Sequence, residues 1–180
     1  MSLEMEVSAV TLDSADRRIL SVLQREGRIP MVELARRVNQ SETTCLRRVR
    51  SLEEAGIIAG YRAELARQAT GFAVMAFIQV SLDQRVEAVS DVFKTAVLEE
   101  DWVLECHSVA GSYDHLLKVV APDNESLAQF VLKRLAVYES VRDFRTVIVL
   151  DTVKEDRVLP VGLDPASGRQ GRGPGKRPQL

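Results

Sequence analysis

Residues 41–52 read Ser41-Glu42-Thr43-Thr44-Cys45-Leu46-Arg47-Arg48-Val49-Arg50-Ser51-Leu52, and this stretch decides the fold of the first part of the chain. On a helix of 3.6 residues per turn, Cys45, Val49 and Leu52 share one side. The other side carries three arginines and no carboxylate, whereas a solvated helix face usually mixes both charge signs. The stretch therefore predicts a helix that buries one face and turns the other toward an anionic partner; the alternative is an ordinary Arg-rich surface helix.

The residues just before this stretch predict a shorter helix joined to it by a tight turn. Leu34, Ala35 and Val38 lie on one side of that helix, and Asn39 suits a turn because asparagine tolerates positive φ. Ser41 can cap the following helix by accepting a hydrogen bond from a first-turn N–H group. Two short helices joined in this way, the second basic on its outer side, are typical of a helix-turn-helix, whose second helix enters the major groove of DNA.

Charge is distributed unevenly over the 180 residues. Residues 17–50 hold nine arginines against three glutamates, a net charge of +6, whereas residues 67–159 hold 10 basic and 15 acidic side chains, a net charge of −5. The net charge of the whole chain is −2, which argues against nonspecific coating of nucleic acid. A basic module joined to an acidic body is the layout expected of a DNA-binding protein.

The sequence also bears on the cellular compartment. The two cysteines lie in apolar patterns, which fits a reducing compartment and no disulfide framework. The first residues are acidic and lack the apolar core of a signal peptide, and no apolar run approaches the ~18 residues of a membrane helix. The chain is therefore expected to be cytoplasmic, with no membrane partner.

From residue 72 onward the hydrophobic period changes from that of helices to a mixture of strands and helices. Alternating apolar residues predict strands over Phe72–Leu82, Val103–Val109, Leu116–Val120 and Phe144–Val153. Helical spacing predicts helices over Val86–Leu98 and Ser126–Tyr138, with these residues toward the core: Val89, Val92, Phe93, Val97, Leu127, Phe130, Val131, Leu135 and Val137. The order β-α-β-β-α-β predicts a ferredoxin-like domain with an antiparallel sheet.

The last residues have a different composition. Residues 160–180 contain four prolines and five glycines and almost no large apolar side chain. Such a segment cannot bury enough surface to offset its ordering entropy, so residues 158–180 are expected to form a disordered, basic Gly/Pro-rich tail. Its cations could add weak attraction to phosphates; they are Arg169, Arg172, Lys176 and Arg177.

Several of these motifs, in this order and spacing, resemble the Lrp/AsnC (leucine-responsive/asparagine, or feast/famine) family of transcriptional regulators. The matching stretches are Leu12-Asp13 with Asp16 and Ile19-Leu20, Gly27-Arg28, Glu33–Val38, Ser41 with Cys45 and Arg48-Val49, Leu52-Glu53 with Gly56-Ile57-Ile58, and Gly111 with Asp114. The resemblance implies an α+β protein in which residues 12–63 form a winged-type helix-turn-helix domain. Residues 64–71 would be a linker, and residues 72–157 a ferredoxin-like domain, called RAM, for effector binding and oligomerisation.

The resemblance implies two binding sites. The first is the interface with double-stranded operator DNA, where arginines pair with guanines and hydroxyl groups reach phosphates or bases; its residues are Ser41, Thr43, Thr44, Arg47, Arg48 and Arg50. The second is a loop between subunits that binds a small amino acid, formed by Ala110, Gly111, Ser112, Tyr113 and Asp114. The alternative for this loop is a plain hairpin turn, in which Gly111 permits positive φ and Asp114 bonds backbone N–H groups. Homodimers assembling up to octamers are also implied.

Other candidates for chemistry are few. Cys106, His107 and His115 have neither metal-ligand spacing nor a partnered nucleophile, so no metal, cofactor or catalytic residue is expected. Cys45 is expected to be apolar packing. One enzyme class, the sirohaem decarboxylases, resembles the same two-domain fold and uses histidines near its ligand. The basic face of residues 41–52 favours the DNA-binding regulator, because a decarboxylase has no need of it.

Overall fold

The computed structural model describes residues 11–83, 89–138 and 140–161. The chain divides into two compact units, of which the first contains the chain up to Ala63 and again from Asp156 onward, and the second spans Glu64–Glu155. Among the described residues no helix is long and apolar enough to cross a membrane. Of the predicted linker over 64–71, residues Gln68–Thr70 form one turn of 3₁₀ helix and group with the second unit.

The first unit is built from three helices, α1 (Ser14–Leu23), α2 (Met31–Val38) and α3 (Glu42–Glu54). Each boundary follows from a local signal. Asp13 and Asp16 form a reciprocal capping box at the start of α1. Asn39 takes the left-handed conformation (φ 55°) that ends α2, and Gly56 does the same after α3 (φ 68°). No strand is present among residues 57–63.

The core of the first unit is a single cluster that joins all three helices. Its buried members are Ile19, Leu20, Leu34, Ala35, Val38, Cys45, Val49 and Leu52. The three residues predicted to form the buried side of α3, including Cys45, are therefore confirmed, and burial raises the pKa of the Cys45 thiol.

The second unit contains a four-stranded antiparallel sheet: β1 (Val74–Leu82), β2 (Val103–Ser108), β3 (His115–Ala121) and β4 (Val141–Ile148). The strand order is β2-β3-β1-β4, as the predicted ferredoxin-like topology requires. One face of β1 lies in the core through Ala76, Ile78 and Val80, and the residues between them face the other side of the sheet. The sheet register changes between Ser81 and Leu82.

Two helices cover the inner face of the sheet. They are α4 (Val89–Leu98) and α5 (Asn124–Phe130), and α5 continues as a π-helical turn over Val131–Leu135. The prediction of Val92 and Val137 as core residues was wrong, because their side chains are 59% and 61% exposed. Val137 lies beyond the end of the helix. Val92 is exposed to solvent, and its neighbour Phe93 is the residue whose side chain packs into the core. The predicted start of α4 lies partly outside the described residues.

β4 differs most from its sequence prediction. It begins three residues earlier and ends at Ile148 rather than Val153. Ile148 pairs with Ala76, and the next N–H group, of Val149, donates to the carbonyl of Met75. Because β1 begins at Val74, the strand has almost no partner left beyond this point, although the apolar residues Val149, Leu150 and Val153 follow.

The end of the described chain returns to the first unit. Residues 158–161 were assigned to a disordered tail, but Leu159 hydrogen-bonds to the side chain of Gln24, just after α1, and Val161 to that of Arg17 in α1. Residues 162–180, the rest of the predicted tail, lie outside the described residues.

Candidate functional site

The outer face of α3 is the first candidate site. Thr43, Arg47 and Arg50 lie on it, exposed, and border an open cavity of about 590 Å³. Ser41 caps the helix: its hydroxyl accepts from the Thr44 N–H (3.3 Å) and donates to the Thr44 hydroxyl (2.8 Å). Leu46, which the sequence analysis did not select, lines the same cavity.

The three arginines of this helix have different surroundings. Arg48 is only 27% exposed, and its Nη1 atom contacts the carboxylates of Asp13 (2.8 Å) and Asp16 (2.7 Å) on α1. These carboxylates raise the pKa of Arg48. Within the described part of the chain, neither Arg47 nor Arg50 forms an ion pair, and both are exposed. The structure thus brings Arg48 into the contact between α1 and α3 and leaves the other two guanidinium groups available.

Arginines of α2 are also neutralised inside the unit. Glu33 accepts hydrogen bonds from Arg36 and Arg37, and these bonds lower its pKa to about 2. Arg37 is also bonded to Glu26 (2.5 Å). Arg36 and Arg37 are therefore paired with carboxylates inside the unit, whereas Arg47 and Arg50 of α3 have no ion pair within the described residues.

We expect Arg48→Ala to destabilise the first unit by about 1–2 kcal/mol, because the largely buried carboxylate of Asp16 loses its cation. For a unit of this size that is a fall of roughly 4–15 °C in Tm, measurable by circular dichroism. The Tm of Arg48→Lys, which retains the positive charge, should lie between the Tm of Arg48→Ala and that of the wild type. Equal melting curves for all three proteins would show that the pair is not structural.

The second candidate site is the loop between β2 and β3. The Val109 N–H donates to the Asp114 carbonyl (2.9 Å), which closes the loop over residues 110–113. Ala110, Gly111 and Ser112 are exposed, and Tyr113 is half-buried. Among the described residues, no acceptor pairs with the backbone N–H groups of residues 110–113. The loop therefore offers donors to an external carboxylate.

Asp114 hydrogen-bonds backbone groups, as the hairpin-turn alternative for this loop predicted. Its Oδ2 atom accepts from the Leu82 N–H (2.7 Å), and its own N–H donates to the Val80 carbonyl (2.9 Å). The carboxylate thus satisfies the backbone where the sheet register changes. Gly111 does not have positive φ, and a Cβ atom there would meet nothing within 4 Å, so the part of the hairpin-turn alternative that gave Gly111 a positive φ was wrong.

The histidines near this loop lie on different faces of the sheet. His115 is buried, 3.2 Å from the Ser108 hydroxyl and 5.3 Å between ring centroids from Phe93, and burial lowers its pKa. His107 is exposed beside Glu105 (3.2 Å). Within the described ranges, no three His, Cys, Asp or Glu side chains form a group suited to a metal ion.

These features define a class of protein. An exposed Arg-bearing helix follows a tight turn in a three-helix unit, and this is the arrangement of a helix-turn-helix DNA-binding protein. The family model described as winged helix-turn-helix DNA-binding matches residues 12–59, and the one described as the Lrp/AsnC ligand binding domain matches residues 75–159. The chain belongs to the Lrp/AsnC family of transcriptional regulators.

Individual relatives agree with this membership. The leucine-responsive regulatory protein of Escherichia coli K12 is 39% identical over 150 residues, which cover 83% of this chain and 92% of that protein. The protein of the same name from Salmonella typhimurium is 38% identical with the same coverage. These relatives are transcriptional regulators, and the sirohaem decarboxylase alternative is not favoured.

Solved structures support the same fold. A transcriptional regulator of Neisseria meningitidis in complex with L-methionine superposes with a TM-score of 0.82 at 36% identity, over 84% of this chain and 97% of that chain. A feast or famine regulatory protein of M. tuberculosis complexed with L-methionine gives a TM-score of 0.71 at 31% identity, over 82% and 97%.

Proposed function

We propose that this regulator reads operator DNA with α3 and responds to a small amino acid bound at the loop of residues 110–114. The observation that carries the proposal is the loop itself, whose backbone N–H groups at residues 110–113 have no acceptor among the described residues and lie next to Asp114 in the chain. The two structural relatives named above bind L-methionine. The role proposed is regulatory rather than catalytic, and the place of action is the cytoplasm, where the DNA lies.

The proposed DNA contacts are drawn from the six residues selected in the sequence. Thr43, Arg47 and Arg50 would meet bases and phosphates directly, since they are exposed on one side of α3. Ser41 and Thr44 would act at the helix start, where free N–H groups favour a phosphate. Arg48 would contribute mainly by fixing α3 against α1.

The proposed assembly is a homodimer that associates further, up to an octamer. The outer face of the sheet supports this proposal, because apolar side chains lie on it without a covering helix. Phe77 is half-buried there, and Val147, which pairs with it on β4, is 46% exposed. A second copy of the sheet would remove this surface from water, and two helix-turn-helix units would match a two-fold operator.

We expect the wild-type chain to have at least twice the monomer mass by light scattering at micromolar concentration. Val147→Asp would place a charge in the proposed interface and should shift the mass toward the monomer without changing the circular dichroism spectrum. Val32→Asp, at an exposed valine of α2, is the matched control and should retain the wild-type mass. A monomeric wild-type protein would exclude the proposed interface.

In the proposed geometry, two parts of the loop bind the two oppositely charged groups of the amino acid. The ligand carboxylate would accept from the N–H groups of residues 110–113, and its ammonium group would approach Asp114. The Asp114 carboxylate also accepts from the Leu82 N–H, so it is already held in place beside the loop. Three residues of the loop are exposed on one chain, which is why a second subunit is proposed to complete the site.

We expect Asp114→Asn to weaken amino-acid binding by about 10- to 100-fold, because it removes a charge-assisted hydrogen bond while keeping an oxygen for the Leu82 N–H. Calorimetric titration with the twenty amino acids would measure the affinity, and anisotropy would show whether operator affinity still responds. Asp101→Asn, at an exposed aspartate, is the charge-matched control. Twenty flat traces with wild-type protein at millimolar ligand would mean that the loop is only a turn.

A further inference from the structure

The segment after β4 is bound to α1 and to the residue that follows this helix. The side chain of Gln24, just after α1, holds the backbone of Leu159 on both sides: its Nε2 donates to the Leu159 carbonyl (3.1 Å), and its Oε1 accepts from the Leu159 N–H (2.6 Å). Arg17 Nη1 donates to the carbonyl of Val161 (3.0 Å). Val161 also packs against the apolar core of the first unit. We call residues 159–161 the anchor.

Arg17 is spaced to pair with a carboxylate at the start of its own helix. It follows Asp13 by four residues, the spacing at which side chains on a helix meet, and the acidic residue comes first, which is the favourable order for an ion pair. Within the described residues Arg17 nevertheless forms no ion pair, and its guanidinium group donates to the Val161 carbonyl instead. The anchor therefore keeps the Arg17 guanidinium group away from Asp13.

The carboxylate of Asp13 has two other roles. Its Oδ1 caps α1 by accepting from the N–H groups of Ala15 and Asp16 (2.8 Å each), and its Oδ2 contacts Nη1 of Arg48 on α3 (2.8 Å). Asp16 contacts the same Nη1 atom (2.7 Å), and Nε of Arg48 is buried without a hydrogen-bond partner among the described residues. The contact therefore lacks the two parallel bonds of a bidentate arginine–carboxylate pair. A second guanidinium group that reached Asp13 would compete for the same oxygen.

We propose that Arg17 and Gln24 are positioning residues for DNA binding: together with the anchor, they reserve the Asp13 carboxylate for Arg48, which holds α3 against α1. When the anchor is released, Arg17 pairs with Asp13, Arg48 loses one of its two carboxylates, and α3 is held less firmly. This inference rests on the proposed role of α3 in reading the operator. The family model of the helix-turn-helix matches residues 12–59, so the anchor, which follows the second unit along the chain, is not part of that pattern.

The test is a rescue of operator affinity, measured by fluorescence anisotropy with the full-length chain on a duplex selected with the wild-type protein. Gln24→Ala removes the clamp on Leu159 without changing the charge, and affinity should fall about two- to fivefold, the factor expected for a surface ion pair. Adding Arg17→Gln removes the competing guanidinium group, so the double variant should bind more tightly than Gln24→Ala alone. An anchor that only packs predicts the opposite, because Arg17→Gln also removes the bond to Val161.

The matched control is Gln24→Ala/Arg18→Gln, which removes the neighbouring exposed cation, changes the net charge equally and should not recover affinity. Hydrogen exchange gives a second readout: the amides of α3 should exchange faster in Gln24→Ala than in the wild type and slow again when Arg17→Gln is added. A wild-type affinity for Gln24→Ala, or a Gln24→Ala/Arg17→Gln variant that binds no better than Gln24→Ala, would overturn the proposal. A wild-type affinity for Arg47→Ala/Arg50→Ala would instead overturn the proposed role of α3 itself.

Discussion

The double variant Arg47→Ala/Arg50→Ala is expected to lose specific operator binding, with a fall in affinity of about 30-fold to more than 10⁴-fold. Each arginine that reads a guanine contributes about 1–3 kcal/mol, and the two effects should be roughly additive if they contact different base pairs. Both guanidinium groups are exposed, and no carboxylate within the described residues neutralises them. Anisotropy titrations on a selected duplex would measure the loss.

The control for this experiment is Lys133→Ala, which removes an exposed cation of the second unit. Its affinity should stay within about twofold of the wild type. Arg48→Ala provides a second comparison, because its main effect should be on Tm and its effect on the affinity of folded protein should be smaller than that of Arg47→Ala. If the double variant binds the operator as well as the wild type, α3 is not the recognition helix.

Phe93→Ala is expected to destabilise the second unit by about 3–5 kcal/mol, the usual cost of removing a fully buried aromatic ring. Phe93 has no exposed surface. Its ring centroid lies 5.3 Å from that of His115 and 6.3 Å from that of Tyr138, in an edge-on arrangement with the latter. The cavity would open beneath the end of β3 that follows the proposed effector loop, so ligand affinity should fall as well.

Urea denaturation followed by the fluorescence of Trp102 would measure this loss. Trp102 is the single tryptophan of the chain and packs against the core of the second unit, 5.6 Å from Phe130 between ring centroids. Val92→Ala is the matched control: it lies one position earlier on α4, is exposed, and should change stability by no more than about 0.5 kcal/mol. Equal urea midpoints for the two variants would contradict the assignment of Phe93 to the core. Protein concentration must be held fixed, since association contributes to apparent stability.

The features that were predictable from sequence are those set by residues close together along the chain. The capping box of Asp13 and Asp16, the left-handed turn at Asn39 and the end of α3 at Gly56 each depend on hydrogen bonds within a few residues. The alternation along β1 likewise gave the correct buried face. Such signals were sufficient for the fold class and for the position of α3 in the first unit.

Other features were decided only by the tertiary structure. Arg47, Arg48 and Arg50 look alike in sequence, and only the crossing of α1 brings two carboxylates to Arg48, while the other two arginines have no ion pair among the described residues. In the same way, the Leu82 N–H donates a hydrogen bond to the Asp114 carboxylate, and the Leu159 N–H donates one to the Gln24 side chain. These partners lie 32 to 135 residues apart. The hydrophobic periodicity of the sequence does not indicate such pairings, because the geometry that creates them exists only once the helices and strands have packed.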